Sequence, residues 1–314
     1  MKLSDIKKIG TAGGGTMGFG ISINFALAGY PVTILDLSED ILATTRRRID
    51  LGLKIMVDEG LITKARAQAA NKRIKLTTDI NKLADADFIT EAITERLADK
   101  QVIFGQLDKI CKPETIIMSN TSGLLVSEIA KGVKRQDKVG LTHYFDPPHF
   151  VPGLEVAKGP GTSDETFNLT FDLMVKIRKV PVRVLKEKSG YLLNSIQNAM
   201  TAEAERLWAE GYASAEDVEK GIEATFGFRS PHEGPMRHSD LAGIWKWPKD
   251  VLAIRAERTL GFINVQGEAR EKLRDMLASG KNWFVAPEDM KEAIEARDRE
   301  YARRLKDLYW GKME

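Results

Sequence analysis

Thr142 to Val156 holds the residues with the clearest chemical potential, His143 and Glu155, with Asp146, Pro147, Pro148 and Pro152 between them. A histidine can take a proton near neutral pH. A carboxylate on its other ring nitrogen fixes the tautomer and supports the imidazolium that forms. Adjacent prolines fix φ and remove two donors, so the expectation is that a stiff loop returns Glu155, in the strand-like run Leu154-Glu155-Val156, to the imidazole. The competing reading is a loop histidine and a strand glutamate that never meet. A second group lies in Gly227 to Pro235, a break between helical patterns. Arg229 and His232 there could bind a carboxylate, or could be surface charges on a capped loop. The four histidines match no compact zinc-ligand spacing, so no metal is expected.

The elements that must position these residues begin with a strand at Lys7 to Ala12. It runs into Gly13-Gly14-Gly15-Thr16-Met17-Gly18 and then an apolar helical pattern from Ile21 to Leu27. Gly13, Gly15 and Gly18 fit G-x-G-x-x-G: a tight turn, a close approach of backbone to a pyrophosphate, and helix-on-strand packing. Thr16 and Met17 complete that loop as candidate cofactor contacts. A second strand, Val32 to Leu35, ends in Asp36, at the spacing of an acid that binds ribose hydroxyls. A carboxylate there repels a 2′-phosphate, so the expected cofactor is NAD rather than NADP.

Glu39 to about Ala70, broken near Gly60, reads as two helices. This is long for a strand-to-strand crossover and is read as an inserted helical hairpin. Its many basic residues form either a solvated face or a contact for a phosphorylated substrate such as coenzyme A. Strand signals follow at Ile74-Lys75-Leu76, Asp87 to Thr90 and Thr115 to Met118. Glu91 and Glu95 stand at one strand end, where ligands bind in open α/β sheets, and Lys100 begins the next helix. Ser119-Asn120-Thr121-Ser122-Gly123 stands at another, suited to hydrogen bonding a ligand or capping the helix that follows. Gly140-Leu141-Thr142 then delivers His143 to the same rim.

A helix from about Asp164 to Ile177 and an alternating strand at Val180 to Val184 come next. The sequence changes character at Lys186 to Gly190 and is helical in pattern thereafter, with Asn194 early in the first helix, where asparagine is mildly unfavourable and a hydrogen-bonding role is expected. The expected architecture is therefore an α/β Rossmann-type NAD-binding domain with a helical hairpin insertion at 1–187, followed by an all-α C-terminal domain at 188–314. At 314 residues two domains are the default. A net charge of +2 implies no strong pull to nucleic acid or membrane. Cys111 is the single cysteine, so no intrachain disulfide forms, which suits a cytoplasmic protein. No uncharged run approaches the length of a membrane span.

With these motifs in order, the chain resembles the 3-hydroxyacyl-CoA dehydrogenase family. The likeness runs to about Gly243 and rests on Gly13 to Gly20, Glu91 to Lys100, Ser119 to Ser122, His143 to Glu155, Ser189 to Asn194, and Gly234-Pro235 before Asp240-Leu241. The resemblance implies that His143 is a base partnered by Glu155, that Ser122 and Asn194 bind the substrate oxygen, and that Asp36, Glu95 and Lys100 help hold NAD. It also implies a helical hairpin after the second strand and a homodimer formed through the C-terminal helices. Two departures matter. The family usually has asparagine three residues after the histidine, and here Asp146 adds a negative charge and cannot donate a hydrogen bond when ionised. Gly227-Phe228-Arg229 is similar to the branch acting on small hydroxy acids, which includes L-gulonate 3-dehydrogenase, lambda-crystallin and carnitine dehydrogenase. The expected substrate is thus a small anionic 3-hydroxy acid, with a 3-hydroxyacyl-CoA as the alternative. A non-catalytic NAD-binding role is a remote third reading.

Overall fold

A computed structural model describes residues 1–310. The chain divides into two compact units, one of residues 1–201 and one from Ala202 onward. The first contains a single eight-stranded sheet: β1 (Ile9–Ala12), β2 (Val32–Leu35), β3 (Ile74–Thr77), β4 (Phe88–Glu91), β5 (Ile116–Ser119), β6 (Val139–Tyr144), β7 (Gly153–Lys158) and β8 (Val180–Val184). The order across the sheet is β3-β2-β1-β4-β5-β6-β7-β8. Strands β1 to β6 run parallel, and β7 pairs antiparallel to β6. The central strands β1, β4, β5 and β6 are buried along their whole length, as expected for a sheet covered on both faces. The edge strands β3 and β8 are only part-buried.

Helices cover both faces. The helices α1 (Gly18–Leu27), α2 (Glu39–Asp58) and α3 (Lys64–Arg73), with α6 (Asp164–Lys176), pack an apolar layer around Phe25, Ile49, Phe88 and Leu173. On the other face α4 (Leu97–Ile110) and the short α5 (Val126–Ile129) pack around Phe104, Leu107, Ile117 and Leu141. Sequence signals set the helix ends. Ser38, Thr63 and Ser163 are N-caps whose hydroxyls accept from Ile41, Arg66 and Thr166 backbone N–H groups. Gly60, at φ 70°, follows the end of α2, so the hairpin breaks where the sequence places it. Several of the hairpin's basic residues are engaged locally. Arg46 bonds Asn71 and the Ile74 carbonyl, Lys54 pairs with Asp58, and Arg48 lies 5.9 Å from the Phe19 ring centre. Cys111 caps the end of α4 and is buried, and burial pushes its thiol up to about 11, the inert state of a packed cysteine.

α7 (Leu193–Ala209) runs across the division between the two units. The second unit is helical: α8 (Ala215–Ile222), α9 (Pro235–Leu241), α10 (Lys249–Phe262), α11 (Gly267–Ser279) and α12 (Met290–Leu305). A small core of Leu241, Val285 and Met290 is organised by Asp240, whose buried carboxylate accepts from the Trp283, Phe284 and Val285 N–H groups. Asp240 is thus a structural cap for that turn. No helix among the described residues is long and apolar enough to cross a membrane.

Candidate active site

The glycine loop joins β1 to α1. A Cβ on Gly18 would lie 1.7 Å from the Gly13 carbonyl oxygen, and one on Gly13, at φ 98°, would lie 2.5 Å from the Ala92 oxygen. A Cβ on Gly15 would meet open space. The loop is therefore locked at its first and third glycines and open at its second, the arrangement that admits a pyrophosphate to the backbone. Asp36, just past β2, accepts from the Gly14 N–H at 2.7 Å and the Leu37 N–H at 2.7 Å. β1 lies between β2 and β4, so the loop sits where the strand order reverses. The residues fit a dinucleotide, with the Asp36 carboxylate at the strand end, where it would repel a 2′-phosphate.

The rim continues across the sheet by register. Ala12 stands beside Glu91, Glu91 beside Ser119, and Ser119 beside Leu141, two residues short of His143. A cavity of about 570 Å³ opens there, lined by Met17, Glu95, Asn120, Ser122, His143, Asp146 and Asn194 among others. His143 Nδ1 is 2.7 Å from Glu155 Oε2, with His143 4% exposed and Glu155 fully buried. The route to this contact differs from the expected one. His143 and Glu155 face each other directly in the antiparallel β6–β7 ladder, so strand register, not the proline loop, makes the pair. The other Glu155 oxygen accepts from the Leu192 and Leu193 N–H groups at 2.8 and 2.7 Å, where the chain enters α7. Gly190 at φ 76° and Tyr191 at φ 44° bend the backbone so that both N–H groups reach the carboxylate. A carboxylate so held keeps the proton on Nδ1 and leaves Nε2 as the acceptor.

Around the histidine, Asn120 Oδ1 accepts from the Tyr144 N–H at 2.8 Å, tying β5 to β6. Asn194 Nδ2 stands 3.5 Å from the Ser122 carbonyl oxygen, so the two predicted oxygen-binding residues are neighbours. Asp146 lines the cavity, and its charge acts on His149. Burial is the main cause lowering the His149 imidazole, followed by the Lys179 charge.

Glu95 and Lys100 are placed together, and with a partner absent from the expected set. Lys100 Nζ lies 2.6 Å from Glu91 and 3.2 Å from Glu95. Glu91 also accepts from Ser119 Oγ at 2.6 Å and the Ile93 N–H at 2.8 Å. Burial pushes its carboxyl upward against the pull of these donors. Glu95 accepts from the Thr121 hydroxyl and from the Ser122 and Gly123 N–H groups. Burial would raise its carboxyl, but Thr121, Lys100 and these N–H groups together hold it below its usual range. The cluster shapes the 119–123 turn that carries Ser122. The signal for Glu91 was present: a glutamate ending a buried strand needs a buried cation.

Arg229 and His232 lie in the second unit and have separate neighbours. Arg229 Nη1 is 3.1 Å from His238 Nε2, and His238 Nδ1 is 2.7 Å from Glu233 Oε1. Glu233 also accepts from the Tyr301 hydroxyl at 2.5 Å, and the His232 ring packs edge-on against Tyr301. Among the described residues no group of His, Cys, Asp and Glu side chains is placed to hold a metal ion.

Comparison with known proteins decides the family. Residues 8–188 match the 3-hydroxyacyl-CoA dehydrogenase NAD binding domain, and residues 190–281 match the C-terminal domain of the same family. The chain belongs to the 3-hydroxyacyl-CoA dehydrogenase family. It is 35% identical over 237 residues to a 3-hydroxybutyryl-CoA dehydrogenase of Clostridioides difficile, covering 76% of this chain and 83% of that one. A 3-hydroxybutyryl-CoA dehydrogenase of Mycobacterium tuberculosis is 31% identical over 254 residues, covering 81% and 86%. Among solved structures, the (S)-3-hydroxybutyryl-CoA dehydrogenase of Ralstonia eutropha superposes with a TM-score of 0.67 at 28% identity, over 89% of this chain and 96% of that one. As a family member the protein is an NAD-dependent oxidoreductase acting on a CH–OH group, taking a secondary 3-hydroxyl to a ketone.

Proposed function

We propose that His143 is the general base of this oxidation, and that the substrate is a short 3-hydroxyacyl thioester. The observation that carries the first part is the buried His143–Glu155 pair opening on the cavity beside the glycine loop. NAD, when bound, supplies the hydride acceptor. His143 Nε2 takes the hydroxyl proton while Glu155 supports the imidazolium. Ser122 and Asn194 orient the substrate oxygen. Glu95 and Lys100, anchored by Glu91, hold the turn that presents Ser122. Gly13, Gly15, Thr16, Met17, Gly18 and Asp36 form the cofactor end.

Two observations support the thioester. The relatives named above act on 3-hydroxybutyryl-CoA. Asp146, on the cavity wall, would also repel a free substrate carboxylate. Like charges about 6 Å apart cost about 0.7 kcal/mol in water and about 3 kcal/mol at an effective dielectric near 20. A thioester carbonyl carries no such charge. The second reading, a small anionic 3-hydroxy acid, also has a specific observation behind it. His238, itself held by Glu233, contacts one nitrogen of the Arg229 guanidinium and leaves most of its five N–H donors for a carboxylate. Assays of 3-hydroxybutyryl-CoA beside free 3-hydroxybutyrate, with Arg229→Ala in parallel, separate the two. The thioester reading expects wild-type turnover of the thioester to survive in Arg229→Ala. Turnover of the free acid alone, lost by tenfold or more in the variant, would reverse the order.

We read the domain boundary at 187/188 and the partner as a second copy of the chain. Exposed Phe262 and Phe284 on the second unit and the family resemblance support a homodimer, and light scattering tests it, with a monomer at micromolar concentration against it. A cytoplasmic setting is supported by the single, buried cysteine.

A further inference from the structure

A second cavity, of about 430 Å³, lies within the first unit among the end of α1, the α2–α3 turn, residues 149–152 and the end of α6. Arg66, Lys176, Arg178 and Lys179 line it together with His149, and no carboxylate does. Among the described residues none of these four cations forms an ion pair; Asp58, at the end of α2, is taken by Lys54. Like charges gathered around one space repel, and Lys179, the buried one of the four, also carries a desolvation cost.

Packing accounts for only part of this. Cations at the C-terminus of α6 suit the helix dipole, which explains Lys176 and Arg178 in general terms. Arg66 sits in the first turn of α3, three residues past its N-cap Thr63, where the dipole disfavours a cation. Lys179 is 7% exposed, and burial lowers its ammonium to about 8. It donates to the Pro148 and Val151 carbonyl oxygens at 2.5 and 2.8 Å, which uses two of its three donors. Arg178 has φ 65° at the position closing α6, where its N–H bonds Val175 and that of Lys179 bonds Met174. That geometry favours glycine, and an arginine held there points to a use for the side chain. Lys176 lies 5.2 Å from the Tyr30 ring centre, and the Arg66 side chain is 3.4 Å from one carbonyl, so neither charge is consumed.

We infer that this cavity binds a phosphate-bearing anion. Guanidinium groups match phosphate oxygens in paired geometry, and lysines add compact charge. The volume is in the range of small-molecule sites, roughly 300–1,000 Å³. Two sources share that chemistry: the phosphates of a coenzyme A thioester tail, or a separate phosphorylated metabolite. The first source rests on the thioester reading, whereas the site itself does not.

The test is calorimetric titration of the NAD-loaded full-length protein with inorganic pyrophosphate at low and raised salt. One saturable site per chain is expected, weakening as salt rises. Its Kd should rise tenfold or more in a Lys176→Ala/Arg178→Ala double variant. Arg66→Ala, at an exposed helix position, gives a second variant should the first fail to fold, and a rise of threefold or more is expected there. No saturable binding in the wild type, or wild-type Kd in the folded variants, overturns the inference. Competition between pyrophosphate and 3-hydroxybutyryl-CoA, with a raised KM for the thioester in the variants, identifies the tail. Binding without competition identifies a separate metabolite. A protein that turns over no thioester yet binds pyrophosphate in this way loses the thioester reading and keeps the site.

Discussion

Glu155→Gln should lower kcat by about 10³–10⁴-fold with little change in melting temperature, the scale seen when a carboxylate orienting a catalytic histidine becomes an amide. The argument is one of tautomers. The buried carboxylate accepts on one oxygen from the Leu192 and Leu193 N–H groups and on the other from His143 Nδ1. A glutamine can keep its carbonyl on the two backbone donors. Its amide NH₂ then faces Nδ1, which must become the acceptor. The ring proton moves to Nε2, and the nitrogen that should take the substrate proton no longer can. The variant stays packed because shape and backbone bonds are kept. Glu155→Ala, by contrast, takes the acceptor from the part-buried Leu192 and Leu193 N–H groups and should cost about 1–3 kcal/mol of stability in all. Steady-state NADH formation and thermal melts on both variants check the contrast. A fully active Glu155→Gln would remove the orienting role.

The second large effect is at His143. His143→Gln removes the base and should lower kcat by about 10²–10⁴-fold. NAD affinity should be unchanged, because the glycine loop and Asp36 are built from β1, α1 and the end of β2, independent of the β6–β7 pair. Cofactor titration by fluorescence separates the two readouts. A loss of NAD binding together with turnover would show that the histidine is needed for the shape of the rim rather than for proton transfer.

What was legible in the sequence depended on where the constraint lies. The glycine loop was readable because Gly13 and Gly18 obey local sterics that any homologous turn would share. The hairpin was readable because Gly60 marks its break locally, while its N-caps Ser38 and Thr63 came only with the fold. The pairing of His143 with Glu155 was expected, but for a different reason. Strand direction is not written in the residues of β7, so the direct cross-strand register could not be seen and the prolines received the credit. Glu91 was seen at a strand end, but its role as the buried partner of Lys100 needed the helix α4 in place. The basic cavity was invisible in sequence because Arg66, His149 and Lys176 to Lys179 come from separate segments that only the fold gathers. The substrate expectation leaned on Arg229. The structure adds what holds that side chain, His238 and Glu233, a network spread over positions 229 to 238 with no periodic signal.

The central claim is that His143 and Glu155 act as one unit, and the measurement that tests it most directly is a double-mutant cycle on kcat with NAD and 3-hydroxybutyryl-CoA. Groups that work as a unit lose their effect together, so the His143→Gln/Glu155→Gln variant should be within about threefold of His143→Gln alone. Losses that multiply across the two sites, giving a double variant slower than either single by the full product, would contradict the account.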